Sequence, residues 1–311
     1  MERVAFLFAG QGSQYVGMGK DLYEIFPESK LLFERADSIL GFSLSNLCFN
    51  GPLEELSRTD NSQPAILVTS LAALEAFKKM VSLQSISVIY TAGLSLGEYS
   101  ALVASEAMSF EDAVYLVRKR GQFMQEASER NPGAMLSIIG LDLDKVRKIC
   151  TYTHTEIANI NCPGQIVISG DKQRIKEADL LAQKEGARKT VLLEVSGAFH
   201  SSFMKEVALR LKEEMKKIKI NKAKIPVVSN VTAQAMFMPE EIVENLVKQV
   251  FLSVLWEDSM KFILSKGITK FFEFGPGKVL KGLLRRIDEN AEVINIEKQG
   301  DILNMGGRHA T

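Results

Sequence analysis

Short β-branched apolar runs alternate with longer stretches of helical period through the first part of the chain. Residues 4–8 (VAFLF) and 86–90 (ISVIY) read as buried strands. The segment 97–107 (GEYSALVASEA) is small, alanine-rich and free of proline, which suits a helix. From about 110 to 127, Val114, Val117 and Met124 form an apolar stripe at helical spacing. The alternation returns from Ile225 (IPVVSNV) through 269–274 (TKFFEF) to 292–296 (EVINI). This order predicts a mostly parallel sheet covered by helices.

Between the two parts the rhythm changes. Residues 133–141 (GAMLSIIGL) read as a strand, 143–149 as a helix, 156–160 (EIANI) and 165–169 (QIVIS) as two strands around the turn-forming NCPG. A helix over 171–186, stopped by Gly186, and a strand over 189–195 (KTVLLEV) complete the order β-α-β-β-α-β. That order is the ferredoxin-like split βαβ arrangement. The fold class is therefore α/β: a core from residues 1–124 and 197–300, with a subdomain inserted over 125–196. A cleft between them is the natural place for a ligand. Residues 301–311 show no sustained period and read as a flexible tail.

The chain has 311 residues, 46% of them hydrophobic, enough to bury a large core. Lysine plus arginine total 38 and aspartate plus glutamate total 38, so no net field favours nucleic acid or an anionic membrane. A charged partner must be met by a local patch. The cysteines, Cys48, Cys150 and Cys162, form no CxxC pair and have no histidine at metal-ligand spacing, which predicts no metal site and a reducing, cytoplasmic setting. The first apolar run is broken by Gln11 before a secretory segment is complete, and no window approaches the ~18 apolar residues of a membrane span.

The stretch TAGLSLGEYSAL places Ser95 between Gly93 and Gly97 at a strand-to-helix junction. Such a turn forces the serine into a strained backbone that only small neighbours can approach. Its hydroxyl then projects at a helix start, where free N–H groups favour developing negative charge. The amide of Leu96 would be one oxyanion donor. The amide of Gln11, in the turn AGQGSQ after the first strand, would be the second. Two plainer readings compete: Ser95 as a helix N-cap, and Gly10-Gln11-Gly12 as a dinucleotide loop. The latter lacks the third glycine in place and an acidic strand end ~20 residues on.

A serine nucleophile needs a base, and the chain has three histidines. His309 stands in the tail and His154 in the polar run TYTHTE. His200, in VSGAFHSSF, follows a strand through a serine-glycine turn and suits an active-site rim, although a structural role fits its position equally. Arg120 continues the apolar stripe at i+3 from Val117. It either snorkels or offers a planar fork to a carboxylate.

The segments FAGQGSQ, GLSLGEYSAL, VRKRGQFMQEA, GAMLSIIGL, NCPGQIVISG, VSGAFHSSFM, VSNVTA, LVKQVFLSVLW and FEFGPGKVLKGLL resemble, in order, the malonyl-CoA:acyl-carrier-protein transacylases of type II fatty-acid synthesis. The acyltransferase domains of polyketide synthases are their cousins. The resemblance implies an α/β-hydrolase-like core with a ferredoxin-like insert, and a monomer without cofactor that transfers malonyl from malonyl-CoA to acyl carrier protein. It implies that Ser95 is acylated, His200 is general base and acid, and the amides of Gln11 and Leu96 hold the oxyanion. It further implies that Arg120 pairs with the malonyl carboxylate, that the backbone carbonyl of Gln249 orients the histidine, and that Asn161 lines the cleft.

Several positions depart from the family pattern. Leu94 stands where histidine usually precedes the nucleophile, Ser253 and Leu255 replace a proline and an arginine, Cys162 a serine, and Ala198 a proline. Leu94, beside the nucleophile and against the cleft, predicts an active enzyme slower than one carrying histidine there. Three other functions remain open: a free-standing polyketide acyltransferase, an acyl hydrolase on the same scaffold, and a non-catalytic carrier-binding homologue. Carrier proteins are acidic, so a basic docking surface is expected; Arg188 and Lys189, with Lys278, Lys281, Arg285 and Arg286 on the late helix, are its candidates.

Overall fold

A computed structural model describes residues 1–81, 85–195 and 197–306. The chain runs from β1 (Glu2–Phe8) through α1 (Lys20–Ile25), α2 (Pro27–Leu40), α3 (Leu44–Asn50), α4 (Leu53–Ser57) and the long α5 (Thr59–Met80) to β2 (Ile86–Gly93). Next come α6 (Gly97–Ala104), α7 (Phe110–Arg130), β3 (Gly133–Ile139), α8 (Leu143–Thr153), β4 (Glu156–Cys162), β5 (Gln165–Asp171), α9 (Lys172–Lys184) and β6 (Lys189–Leu192). The remainder is α10 (Lys205–Met215), β7 (Val227–Val228), β8 (Ala235–Met236), α11 (Pro239–Gln249), β9 (Val254–Leu255), α12 (Trp256–Ser265), β10 (Lys270–Phe274), α13 (Val279–Ile287), β11 (Glu292–Ile296) and α14 (Gln299–Gly306).

The larger sheet has the order β11-β10-β1-β2-β7-β8 and is parallel except for the β7–β8 pair. Its central strand is apolar on both faces because both are covered, as a parallel sheet requires. On one face Phe6, Phe77, Phe272 and Phe274 pack edge to face, with 4.9 Å between the ring centroids of Phe6 and Phe274. Helix α5 is buried along nearly its whole length against that face.

The smaller sheet, β6-β3-β5-β4-β9, is antiparallel over the four strands drawn from residues 133–192. Its βαββαβ order is the one the patterning predicted, and the α/β architecture with a smaller inserted sheet follows the same reading. One face, with Leu136, Ile138, Ile166 and Ile168, packs on α8 and α9. Because side chains alternate along a strand, the opposite face carries Met135, Ser137 and Val167, which look toward the larger sheet.

Three boundaries need correction. The division at 124/125 falls inside α7, whose apolar stripe is continuous to Met124 and beyond. The smaller sheet also borrows β9, which pairs in parallel with β4, contains Leu255 and directly follows Ser253. The tail expected over 301–311 is helical as far as Gly306: Ile302 is buried, and Gln299 N–H donates to Asp21 Oδ2 at 2.8 Å. Residues 307–311, including His309, lie outside the described residues. Among the described residues no helix is long and apolar enough to cross a membrane.

Candidate active site

Ser95 occupies the sharp turn between β2 and α6 with φ +53°, a left-handed backbone unusual for a residue with a side chain. Space there exists only because its flanks are glycine. A Cβ on Gly93 would lie 2.0 Å from the carbonyl carbon of Gly97, and one on Gly97 would lie 2.2 Å from the carbonyl oxygen of Phe8. The turn is pinned by Asn230, which follows β7: its Oδ1 accepts from the Ser95 N–H at 2.6 Å and its Nδ2 donates to the Gly93 carbonyl at 2.8 Å. The N-cap of α6 is Leu96, and no side chain caps it. The serine hydroxyl turns instead toward His200.

The Ser95 Oγ to His200 Nε2 distance is 2.8 Å, and His200 Nδ1 lies 2.7 Å from the main-chain oxygen of Gln249. A carbonyl only accepts, so Nδ1 carries the proton and Nε2 presents its lone pair to the serine O–H. Burial, and then the Arg120 charge, draw His200 down to about 4, against the pull of the Gln249 and Leu252 backbones. The ring is therefore neutral, and a base, at neutral pH. His154, by contrast, is exposed at the C-cap of α8.

Arg120 does not snorkel: it is fully buried. Its Nη2 donates to Ser95 Oγ at 3.0 Å and to Gln249 Oε1 at 3.2 Å, and its Nη1 donates to Gln63 Oε1 at 2.7 Å. The guanidinium also lies over the Tyr99 ring, 5.5 Å from its centre. Burial lowers its pKa below the usual arginine range, with Tyr99 and Glu98 opposing. Its Nε–H has no hydrogen-bond partner among the described residues. The guanidinium is thus a fixed, buried cation that donates to the Ser95 hydroxyl and keeps one donor to spare.

Three residues of this network went unread in the sequence. Gln63 sits in the polar run at the start of α5 and is buried under α7. Glu98 looks like an ordinary first-turn acid of α6 and is fully buried. Asn230 stands beyond the carboxyl end of the parallel strand β7, and that position was the available signal, since ligands gather there in open α/β sheets.

A cavity of about 250 Å³ opens at Ser95 and His200. One wall is the inner face of the smaller sheet, with Met135, Ser137, Asn159, Asn161 and Val167; Gln11, Leu94 and Phe199 close other sides. Ser137 Oγ and Asn161 Oδ1 are buried there without a hydrogen-bond partner among the described residues. Leu94 contributes apolar surface. Gln11 exchanges side-chain contacts with Thr59 and Gln63, at 3.5 and 3.4 Å. Leu96 is buried behind the turn. Neither amide, of Gln11 or of Leu96, donates to a main-chain carbonyl among the described residues.

One other hollow and one basic rim stand outside this cavity. A groove of about 1020 Å³ between α10 and α11 is larger, but its lining includes no serine, cysteine or histidine. On the far side, the basic residues named from the sequence fall partly into one rim. Arg286 donates to Gln165 Oε1 at 2.5 Å and to the Pro163 carbonyl at 3.4 Å, tying α13 to the β4–β5 turn. Gly140 N–H donates to Gly164 at 2.8 Å and abuts Arg188, so the rim continues to exposed Arg188 and Lys189. Val279 and Leu283 of α13, and Gln165, also line the cavity. Lys278 and Arg285 are exposed on the same segment and Lys281 is half-buried. Among the described residues no group of three or more His, Cys, Asp or Glu could hold a metal.

Residues 5–279 match the acyl transferase domain family. The malonyl CoA-acyl carrier protein transacylase of Bacillus subtilis is 47% identical over 301 residues, covering 95% of this chain and 94% of that protein. The transacylase of the same name from Staphylococcus aureus (strain MRSA252) is 40% identical over 307 residues, covering 97% and 98%. Among solved structures, the transacylase of Coxiella burnetii superposes with a TM-score of 0.95 at 36% identity, covering 100% of this chain and 98% of that one. A malonyl-transacylase solved in complex with its type II PKS acyl-carrier protein superposes with a TM-score of 0.94 at 34% identity, covering 99% and 100%.

Proposed function

The chain belongs to the acyl transferase domain family, and on that premise we propose that it carries a malonyl group from malonyl-CoA to the phosphopantetheine thiol of an acyl carrier protein through a malonyl ester on Ser95. The observation that carries this reading is the position of Ser95 Oγ, 2.8 Å from the basic nitrogen of His200 and 3.0 Å from the buried guanidinium of Arg120. A nucleophile, its base and a carboxylate receptor converge on one atom.

His200 Nε2 takes the Ser95 proton as Oγ bonds to the thioester carbon. The negative charge that forms on the carbonyl oxygen meets the N–H groups of Gln11 and Leu96. Collapse breaks the carbon–sulfur bond, and the coenzyme A sulfur leaves with the proton from His200. The carrier thiol then gives its proton to His200 and attacks the ester; Ser95 Oγ leaves and takes that proton back. The product is the extender unit of fatty-acid synthesis. Arg120 selects the acyl group, because an acetyl group would leave its buried charge without an anion. Ser137 and Asn161 offer their unpartnered oxygens to the amides of the pantetheine arm that both substrates share.

The partner is an acidic carrier protein, and the rim of α13, the β4–β5 turn, Arg188 and Lys189 is the surface that meets it. Its support is continuity, since Gln165, Val279 and Leu283 belong to both rim and cavity. The test is intact mass after brief incubation with malonyl-CoA or acetyl-CoA, beside Ser95→Ala. A malonyl adduct that forms preferentially, requires Ser95 and clears on adding carrier protein is the expected result. Release of coenzyme A without a lasting adduct would make the protein a hydrolase, and no release with no adduct would make it a binding homologue.

A further inference from the structure

The buried acid Glu98 has no place in the steps above, yet Gln249 alone separates it from Ser95, His200 and Arg120. Its Oε2 accepts from Gln249 Nε2 at 2.8 Å and from the Asn230 N–H at 3.1 Å. Both donors hold the nucleophile's turn, Gln249 Nε2 by donating to the Ser95 carbonyl at 2.8 Å and Asn230 by its contacts with Ser95 and Gly93. The geometry points to Glu98 as a positioning residue that, through the side chain of Gln249, sets where both His200 and Arg120 stand relative to Ser95; this rests on the acylation proposed above.

Polarity decides how the buried groups are arranged. Arg120 is fully buried, and the contacts of its Nη atoms are to neutral oxygens. The Gln249 amide bridges cation and anion, with Oε1 on Arg120 and Nε2 on Glu98. An amide flipped end for end would set N–H against guanidinium and carbonyl against carboxylate, so the carboxylate fixes its orientation. Fixing the side chain also steadies the main-chain carbonyl that holds His200 Nδ1. The bridge keeps the acid from pairing directly with Arg120. The guanidinium therefore keeps its charge for an arriving carboxylate while remaining compensated in the empty site.

Only the ionised acid can do this, and burial pushes Glu98 up to about 7, against the Gln249 and Asn230 hydrogen bonds and the Arg120 charge that draw it down. The titratable groups around it are Arg120 from α7 and Tyr99 of its own helix, with His200 beyond Gln249. Since Glu98 acts as the carboxylate, the acylation rate rises with pH through its ionisation.

The experiment compares wild type with Glu98→Gln, in which one oxygen remains to accept from Gln249 and Asn230 while the charge is gone. Rapid-quench acylation of Ser95 by malonyl-CoA is followed by intact mass across pH values on both sides of about 7. The acylation rate constant is expected to fall roughly tenfold to a hundredfold, with KM for malonyl-CoA changed far less. The wild-type inflection should vanish in the variant. A rate within about twofold of wild type at every pH would overturn the inference, as would an inflection that survives the substitution. Should Glu98→Gln fail to fold, a wild-type profile without an inflection near neutrality overturns it equally. Labelling of Ser95 by a fluorophosphonate needs only the serine and its base, so it decides the role of Glu98 even if malonyl-CoA proves not to be the acyl donor.

Discussion

His200 leans on the backbone of Gln249, with 2.7 Å between Nδ1 and the main-chain oxygen, while the side chain of the same glutamine reaches back to the Ser95 carbonyl at 2.8 Å. One residue thus serves His200 through an atom no substitution removes and the Ser95 turn through atoms that any substitution does. Gln249→Ala separates the two. The histidine keeps its acceptor and tautomer, though that carbonyl is held less firmly, while Arg120, Ser95 and Glu98 each lose a contact. The acylation rate should fall roughly tenfold to a hundredfold, short of the 10²–10⁴ expected for His200→Ala. Single-turnover acylation checks this; equal losses would mean the backbone carbonyl does not hold without its side chain.

Arg120 makes the acyl selection testable. Arg120→Ala should lower acylation by malonyl-CoA roughly tenfold to a hundredfold, the worth of hydrogen bonds to a charged group. Acetyl-CoA should gain relative to it, because no buried cation is then left unpaired. Arg120→Lys keeps charge but not the fork and should restore malonyl acylation only in part. The ratio of the two acylation rates is the measurement, and an unchanged ratio in Arg120→Ala would assign the selection to another wall of the cavity.

How much of this was legible in the chain depends on the period each residue interrupts. The longer strands of both sheets announce themselves as apolar, often β-branched runs, and the βαββαβ insert follows from their order. Ser95 shows itself because glycines flank it where period two gives way to 3.6. Arg120 shows itself as a charge on an apolar stripe. Glu98 and Gln63 do not: an acid in a first helical turn and a polar run opening a helix are ordinary surface features, and only the packing of α6 against α7 and β7, and of α5 against α7, buries them. The helix over 299–306 was lost for the opposite reason, since its buried side is narrow, and β9 is too short to carry any period.

A second buried acid gives a pH signature in stability. Glu273, near the end of β10, is fully buried, with Oε1 and Oε2 accepting the N–H groups of Leu280 and Lys281, each at 2.9 Å, at the start of α13. Burial still pushes it up to about 7, the hydrogen bonds to Lys281 and Leu280 opposing. A carboxyl raised in the folded state favours folding below its unfolded pKa and loses that contribution as pH rises through the folded value. Compared with Glu273→Gln, the wild type should therefore lose on the order of 3 kcal/mol between pH ~4 and ~7 and change little above. Denaturant unfolding of both proteins over that range reads the difference directly, and a pH-independent difference would count against the raised pKa.

The docking rim can be dissected because its two adjacent arginines differ. Arg286 is committed to Gln165 and the Pro163 carbonyl, so reversing it would disturb the β4–β5 turn as well as the field. Arg285 is exposed in the last turn of α13, the helix that also brings Val279 and Leu283 to the cavity. Arg285→Glu should raise the apparent KM for carrier protein several-fold at low salt, with the effect fading above ~0.15 M ionic strength as screening shortens the field's reach. Self-acylation from malonyl-CoA should not move. Transfer kinetics measured against salt carry the decision: a KM shift that persists at high salt points to a lost contact, and an unaltered KM moves the carrier to another face of the molecule.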